Sequence, residues 1–181
     1  MIAPMSRPSS DGLRPPSPAE RQRLGYDHFG TLAALLNERT FDHILAFGIS
    51  DGWRCWEAGA GGDSVPRWLA EQVGPSGYVL ASDIDTSMLE ATPDPPYQVR
   101  RHDLTVDPPP TAVGVPPACG GFDLVHARLV LEHLTNPAAA LTTLVSALRP
   151  GGWLLVERRT SISRFSRSFP LGAASGSNET R

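Results

Sequence analysis

The stretch Trp53-Arg54-Cys55-Trp56-Glu57-Ala58-Gly59-Ala60-Gly61-Gly62-Asp63-Ser64 decides how this chain folds. A short apolar run ends in an acid, passes through a glycine-rich turn and opens onto Pro66-Arg67-Trp68-Leu69-Ala70-Glu71-Gln72-Val73. That last segment reads as a helix, with Asp63 or Ser64 as N-cap and Pro66 in the first turn, where a missing N–H costs nothing. Strand, glycine turn and helix in succession bring backbone close to a nucleotide-like ligand in a doubly wound α/β sheet.

Working outward, the same alternation repeats. Tyr78–Ser82 reads as a second strand, and Tyr97–Arg101 as a third whose greater polarity suits a sheet edge. Phe122–His126 is a fourth, and Arg149-Pro150-Gly151-Gly152 turns into a fifth at Trp153–Val156. Between them lie a short helix from Thr86 to Glu90, a helical turn from Leu129 to Leu134, and a helix capped by Asn136-Pro137 that runs to Leu148. Strands apolar on both faces, alternating with helices, predict an α/β fold with a doubly wound, mainly parallel sheet. Upstream, Ser17-Pro18-Ala19-Glu20 is a capping box. Leu32, Leu35 and Leu36 form one helical stripe; Phe41, Ile44 and Leu45 form a second, with Thr40 as N-cap and Gly48 as stop. The expected organisation is a disordered tail over 1–16 and one domain over 17–158. Within it, 17–48 are N-terminal helices and 53–158 the ligand-binding core.

Composition narrows the chemistry. The chain has 181 residues, a net charge of −3 and 40% hydrophobic residues, an ordinary globular balance that points to neither nucleic acid nor a membrane surface. All sixteen basic residues are arginines, so a P-loop lysine or a Schiff base is excluded. Cys55 and Cys119 lack C-x-x-C spacing, so no metal site or disulfide framework is expected, and Cys55 reads as a small core residue. No apolar leader and no 18-residue apolar run occur, which predicts a cytoplasmic protein.

In such sheets the ligand lies beyond the carboxyl ends of the strands. Glu57, Asp83 and Asp103 stand at the ends of the first three. A dinucleotide fits poorly: Gly59 and Gly61 are followed by Ser64 where G-x-G-x-x-G needs a third glycine, and Glu57 repels a pyrophosphate. A ligand cationic near the turn, with a ribose and an adenine, fits better. Glu57 would face its amino end, Asp83 would accept from the ribose hydroxyls, and Asp103 from the adenine amino group. S-adenosylmethionine has this pattern. Each acid also has a plain structural rival, as a helix cap for Asp83 and a turn residue for Asp103. Asp85 reads as a cap, and Asp123 as structural. Glu132 and His133, adjacent on a presumed helix, do not share a face; His126, at a strand end, is the better functional histidine.

Residues of about 50–158 resemble a class I S-adenosylmethionine-dependent methyltransferase of the small-molecule type. The resemblance is carried by Glu57-Ala58-Gly59-Ala60-Gly61-Gly62, Val79–Asp85, His102-Asp103-Leu104, Phe122–Arg128 and Leu148–Trp153, in that order. It implies that the Gly59–Gly61 turn approaches the methionine and ribose, that Asp83 binds the ribose, that Ile84 packs on the adenine, and that Asp103 and Leu104 read its edge. His126 to Arg128 would sit beside the methionine end. The implied activity is methyl transfer to a small-molecule acceptor, with no catalytic base identified. The alternative is a non-catalytic cofactor-binding or interaction module with the same fold.

The sequence departs from that pattern twice. Asp63 stands where the turn usually carries another glycine. The composition also shifts after Glu157, so that 159–181 reads as an atypical, disordered tail in place of the last strands of the family. Ser161–Pro170 alternates enough for a makeshift edge strand. The fifth strand is then expected to expose an apolar edge that pairs with a second copy or a partner chain.

Overall fold

The computed structural model describes residues 17, 30, 35–111 and 121–158, and the backbone of 162–166. The expected 1–16 tail, the capping box after Ser17 and the 167–181 tail lie outside these residues. Helix α1 spans residues 35–45, followed by β1 (Arg54–Ala58), α2 (Ser64–Val73), β2 (Tyr78–Asp83), α3 (Ser87–Glu90) and β3 (Gln98–Arg101). After these come β4 (Phe122–Arg128), a 3-10 turn (Leu131–His133), α4 (Pro137–Ser146), β5 (Leu148–Glu157) and β6 (Ile162–Ser166).

The sheet runs β3-β2-β1-β4-β5-β6, with β6 alone antiparallel. The chain crosses over between β3 and β4, so the direction of strand addition reverses beside β1 and opens a crevice at the β1/β4 carboxyl ends. As its polarity suggests, β3 is an edge. The inner strands β1, β2 and β4 and the second half of β5 are buried on both faces, as parallel strands under two helical layers must be. On one face Cys55, Val79, Ala81, Leu124 and Leu155 pack with Ile44 of α1 and Val65, Leu69 and Val73 of α2. On the other, Trp56, Leu80, Val125 and Leu154 pack with Ala140 and Leu144 of α4. Trp56 is fully buried with its indole N–H satisfied, donating to Ser82 Oγ at 2.8 Å. Cys55 is wholly buried, and burial pushes its thiol well above the ordinary range.

Three local expectations are corrected. Residues 35–45 form one uninterrupted helix, so Thr40 lies mid-helix instead of capping a second one. Its hydroxyl is drawn inward by a carboxylate of β5. The Arg149–Gly152 turn is absorbed into β5 as an irregularity: Phe122 pairs with Leu148 and Leu124 with Trp153, leaving extra β5 residues unpaired in between. Finally, the outer edge of β5 is not open. β6 lies within the Ser161–Pro170 run read as a makeshift edge strand and covers β5 from Trp153 opposite Ser166 to Glu157 opposite Ile162. Among the described residues no helix is long and apolar enough to cross a membrane.

Candidate active site

Because β1 to β5 run parallel, their carboxyl ends share one edge of the sheet, and a cleft of about 1200 Å³ lies along it. Gly59–Ser64, Asp83, Ile84 and His102–Leu104 line the part over β1, β2 and β3. Over β4 and β5 the walls are Arg128–Val130, Glu132–Leu134, Glu157 and Arg158, with Leu35, Leu36, Arg39 and Thr40 contributed by α1.

The glycine turn is built for close approach. Gly59 and Gly61 sit at φ +68° and +63°, in the left-handed region that side chains disfavour. A Cβ on Gly59 would lie 2.3 Å from Val130 Cγ2. The backbone N–H groups of Gly59 and Ala60 are tied down by the Ser82 carbonyl at 2.8 and 3.0 Å. Asp83 completes the cradle: one oxygen accepts from Gly61 N at 2.9 Å and the other from Asp85 N at 3.1 Å. Each oxygen keeps a further lone pair, so Asp83 holds the turn and still faces the cleft. Beside it, Ile84 exposes 58% of its surface, an apolar side chain presented to the cleft.

Asp103 takes the turn role weighed for it. Its Oδ1 accepts from the amide and hydroxyl of Thr105 at 2.8 and 2.6 Å, and these bonds hold its carboxyl below the ordinary value, while the residue lines the cleft. Leu104 is buried beneath it and also reaches the cleft. Asp85 accepts from Ser87 N at 3.0 Å at the start of α3, one position before the N-cap residue Thr86. Asp123 lies at the opposite end of β4, where it accepts from Arg54 N at 2.7 Å and from the Arg149 guanidinium.

Glu57 and His126 stand elsewhere than expected. Neither lines the cleft; they are 2% and 0% exposed and paired with each other, Glu57 Oε2 to His126 Nδ1 at 2.5 Å. The reason is strand parity. Glu57 and His126 are register partners on the face that packs against α1, so the nearest cation for Glu57 is the imidazole. The other ring nitrogen, Nε2, lies 3.2 Å from Glu157 Oε2, which also accepts from Thr40 Oγ1 at 2.6 Å, while Glu157 Oε1 pairs with His43 Nδ1 at 2.7 Å. Burial opposes a charge on His126 most strongly, yet the two carboxylates outweigh it and raise the imidazole to about 9. Burial likewise opposes the Glu157 charge, but the bonds from His126, Thr40 and His43 bring its carboxyl down to about 2. The trio is therefore an imidazolium between two carboxylates. Sequence reading missed Glu157; the available signal was that β1, β4 and β5 each carry a titratable residue of like parity near the carboxyl end.

Glu132 and His133 both line the cleft from the 3-10 turn, where adjacent side chains still diverge, and His133 Nε2 stands 4.0 Å from Glu132 Oε1 with the imidazole largely in solvent. Asp63 has φ −91°, which any residue adopts, and its carboxylate pairs with Arg67 at 3.1 Å instead of capping α2. The departure from glycine there costs the backbone nothing.

Residues 56–154 match the family model described as "Methyltransferase domain". Among curated relatives, Methyltransferase str3 of Strobilurus tenacellus is 36% identical over 143 residues, 78% of this chain and 46% of that protein. The ubiquinone/menaquinone biosynthesis C-methyltransferase UbiE of Bordetella parapertussis is 32% identical over 120 residues, 64% of this chain and 44% of that protein. The chain thus spans about half the length of the curated relatives it matches. Among solved structures, a TehB-like S-adenosylmethionine-dependent methyltransferase from Corynebacterium glutamicum superposes with a TM-score of 0.55 at 20% identity. That match covers 77% of this chain and 73% of the other, a likeness of fold.

Proposed function

Since the chain belongs to the methyltransferase-domain family, we propose that its cleft binds S-adenosylmethionine and directs the methyl group to a small-molecule acceptor. The observation that carries this reading is the cradle of Gly59, Gly61 and Asp83: two glycines at positive φ, one with no room for a side chain, locked to a carboxylate that keeps lone pairs toward the cleft. Asp83 would hold the ribose diol, Ile84 would pack on the adenine, and Asp103 and Leu104 would meet its edge. These residues suit the group chemically, since the lining here is acidic and apolar where a pyrophosphate would need donors.

When bound, the cofactor supplies an electrophilic methyl on a sulfonium. The protein's part is to hold the acceptor in line and exclude water. The apolar side chains Leu36, Leu129, Val130 and Leu134 line the β4–β5 part of the cleft and serve the second task. A small-molecule acceptor is supported by the relative named for ubiquinone/menaquinone biosynthesis. Thermal-shift titration with S-adenosylhomocysteine and with NAD tests the ligand class. A concentration-dependent rise with the first alone is expected; stabilisation by NAD instead would overturn the reading.

A further inference from the structure

Arg128 closes β4, half-buried, and lines the cleft. Its Nη1 donates to Asn37 Oδ1 and to Thr40 Oγ1, both at 3.0 Å. Neither acceptor is charged, and among the described residues no carboxylate forms an ion pair with this guanidinium. The more a cation is withdrawn from water, the more it gains from an anionic partner. The side chain is also held in place. Thr40 has given its hydrogen to Glu157, which His126 and His43 hold in turn, so the hydroxyl lone pairs are left for Arg128. Both Nη1 hydrogens are thereby spent, while Nε and Nη2 donate to none of the described residues. Those two groups form the planar fork that matches a carboxylate.

The surrounding charge agrees. Asp83 and Asp103 make the β2–β3 end of the cleft acidic, whereas Arg39 and Arg158 join Arg128 at the β4–β5 end. Of the two glutamates there, Glu157 already accepts from three donors, and Glu132 has a partner of its own. We propose that Arg128 is the carboxylate anchor of the cleft, taking through its Nε–Nη2 edge an anionic group bound over β4 and β5. The inference rests on the methyltransferase reading, and the carboxylate has two sources: the amino-acid end of the cofactor, or the acceptor.

Calorimetry on the full chain, wild type against Arg128→Met and Arg128→Lys, separates them. The probes are S-adenosylhomocysteine, 5′-methylthioadenosine (which lacks the amino-acid end), and benzoate against neutral benzamide. If the cofactor supplies the group, Arg128→Met weakens S-adenosylhomocysteine at least about tenfold and leaves 5′-methylthioadenosine unchanged. If the acceptor supplies it, both nucleosides bind as before, and benzoate binding to the S-adenosylhomocysteine-loaded protein is lost while benzamide is unaffected. In either case Arg128→Lys recovers part of the loss, having charge without the fork. Unchanged binding of S-adenosylhomocysteine and benzoate in Arg128→Met overturns the proposal, as does equal weakening of both nucleosides. Wild-type protein that binds neither nucleoside refutes the methyltransferase reading instead. Benzoate titrated into the unliganded chain then decides the anchor alone: Arg128-dependent binding retains it, and no binding overturns it.

Discussion

At Gly59 two constraints coincide, a positive φ and a wall at Val130. Gly59→Ala is expected to destabilise the fold by about 1–3 kcal/mol, combining left-handed strain with a steric clash, and to abolish S-adenosylhomocysteine binding. Adding Val130→Ala relieves the clash but not the strain, so urea denaturation of the double variant should recover part of the stability. Leu129, the neighbour of Val130, itself holds φ +59°, an uncommon conformation for a bulky residue that places the cleft wall under backbone strain. Most of the cradle was legible in the sequence, because glycines after a strand and an acid closing the next have few other uses. Glu57 was misread for a physical reason. A strand-end acid faces either the ligand or the neighbouring layer, and the choice depends on His126, 69 residues away.

Among the elements, α1 and the ends of β1, β4 and β5 are joined by the Glu57–His126–Glu157 trio and its bonds to Thr40 and His43. Raising His126 from 6.5 to about 9 contributes stability that is fully present below 6.5 and lost as pH rises through 9. Lowering Glu157 from 4.5 to about 2 contributes stability present above 4.5 and lost as pH falls through 2. The urea midpoint of the wild type is therefore expected to decline between pH 6.5 and 9, and His126→Gln to flatten that limb whatever its absolute stability. An unchanged slope in the variant would remove the imidazolium from the account. Helix α4 offers a simpler check. Asn136 Oδ1 accepts from Ala139 N at 3.2 Å, and Asn136→Ala should cost about 1 kcal/mol by urea denaturation. This cap was readable from Asn136-Pro137 alone, since capping is local. The continuity of α1 through Thr40 was not, because a threonine mid-helix reads as a start until its distant partner Glu157 is known.

For the molecule as a whole, the strand order places an acidic, glycine-lined half of the cleft over β1 to β3 and a basic, apolar half over β4, β5 and α1. The alternation of strands and helices made this architecture legible, down to the makeshift strand read over Ser161–Pro170; what the polar, serine-rich sequence obscured was that β6 would cover the edge of β5. Its backbone pairs with β5 over five register partners, and such pairing depends little on side chains. A chain ending at Arg158 would uncover β5, and sedimentation velocity should show it self-associating where the full chain does not; equal behaviour would mean that β6 does not protect the edge. The most direct test of the central claim is calorimetric titration of the purified chain with S-adenosylmethionine, beside Asp83→Ala. Saturable one-site binding, weakened at least about tenfold in a variant that still melts cooperatively, is the expected result. A folded wild type that takes up no S-adenosylmethionine, or a variant that binds as tightly, would contradict it.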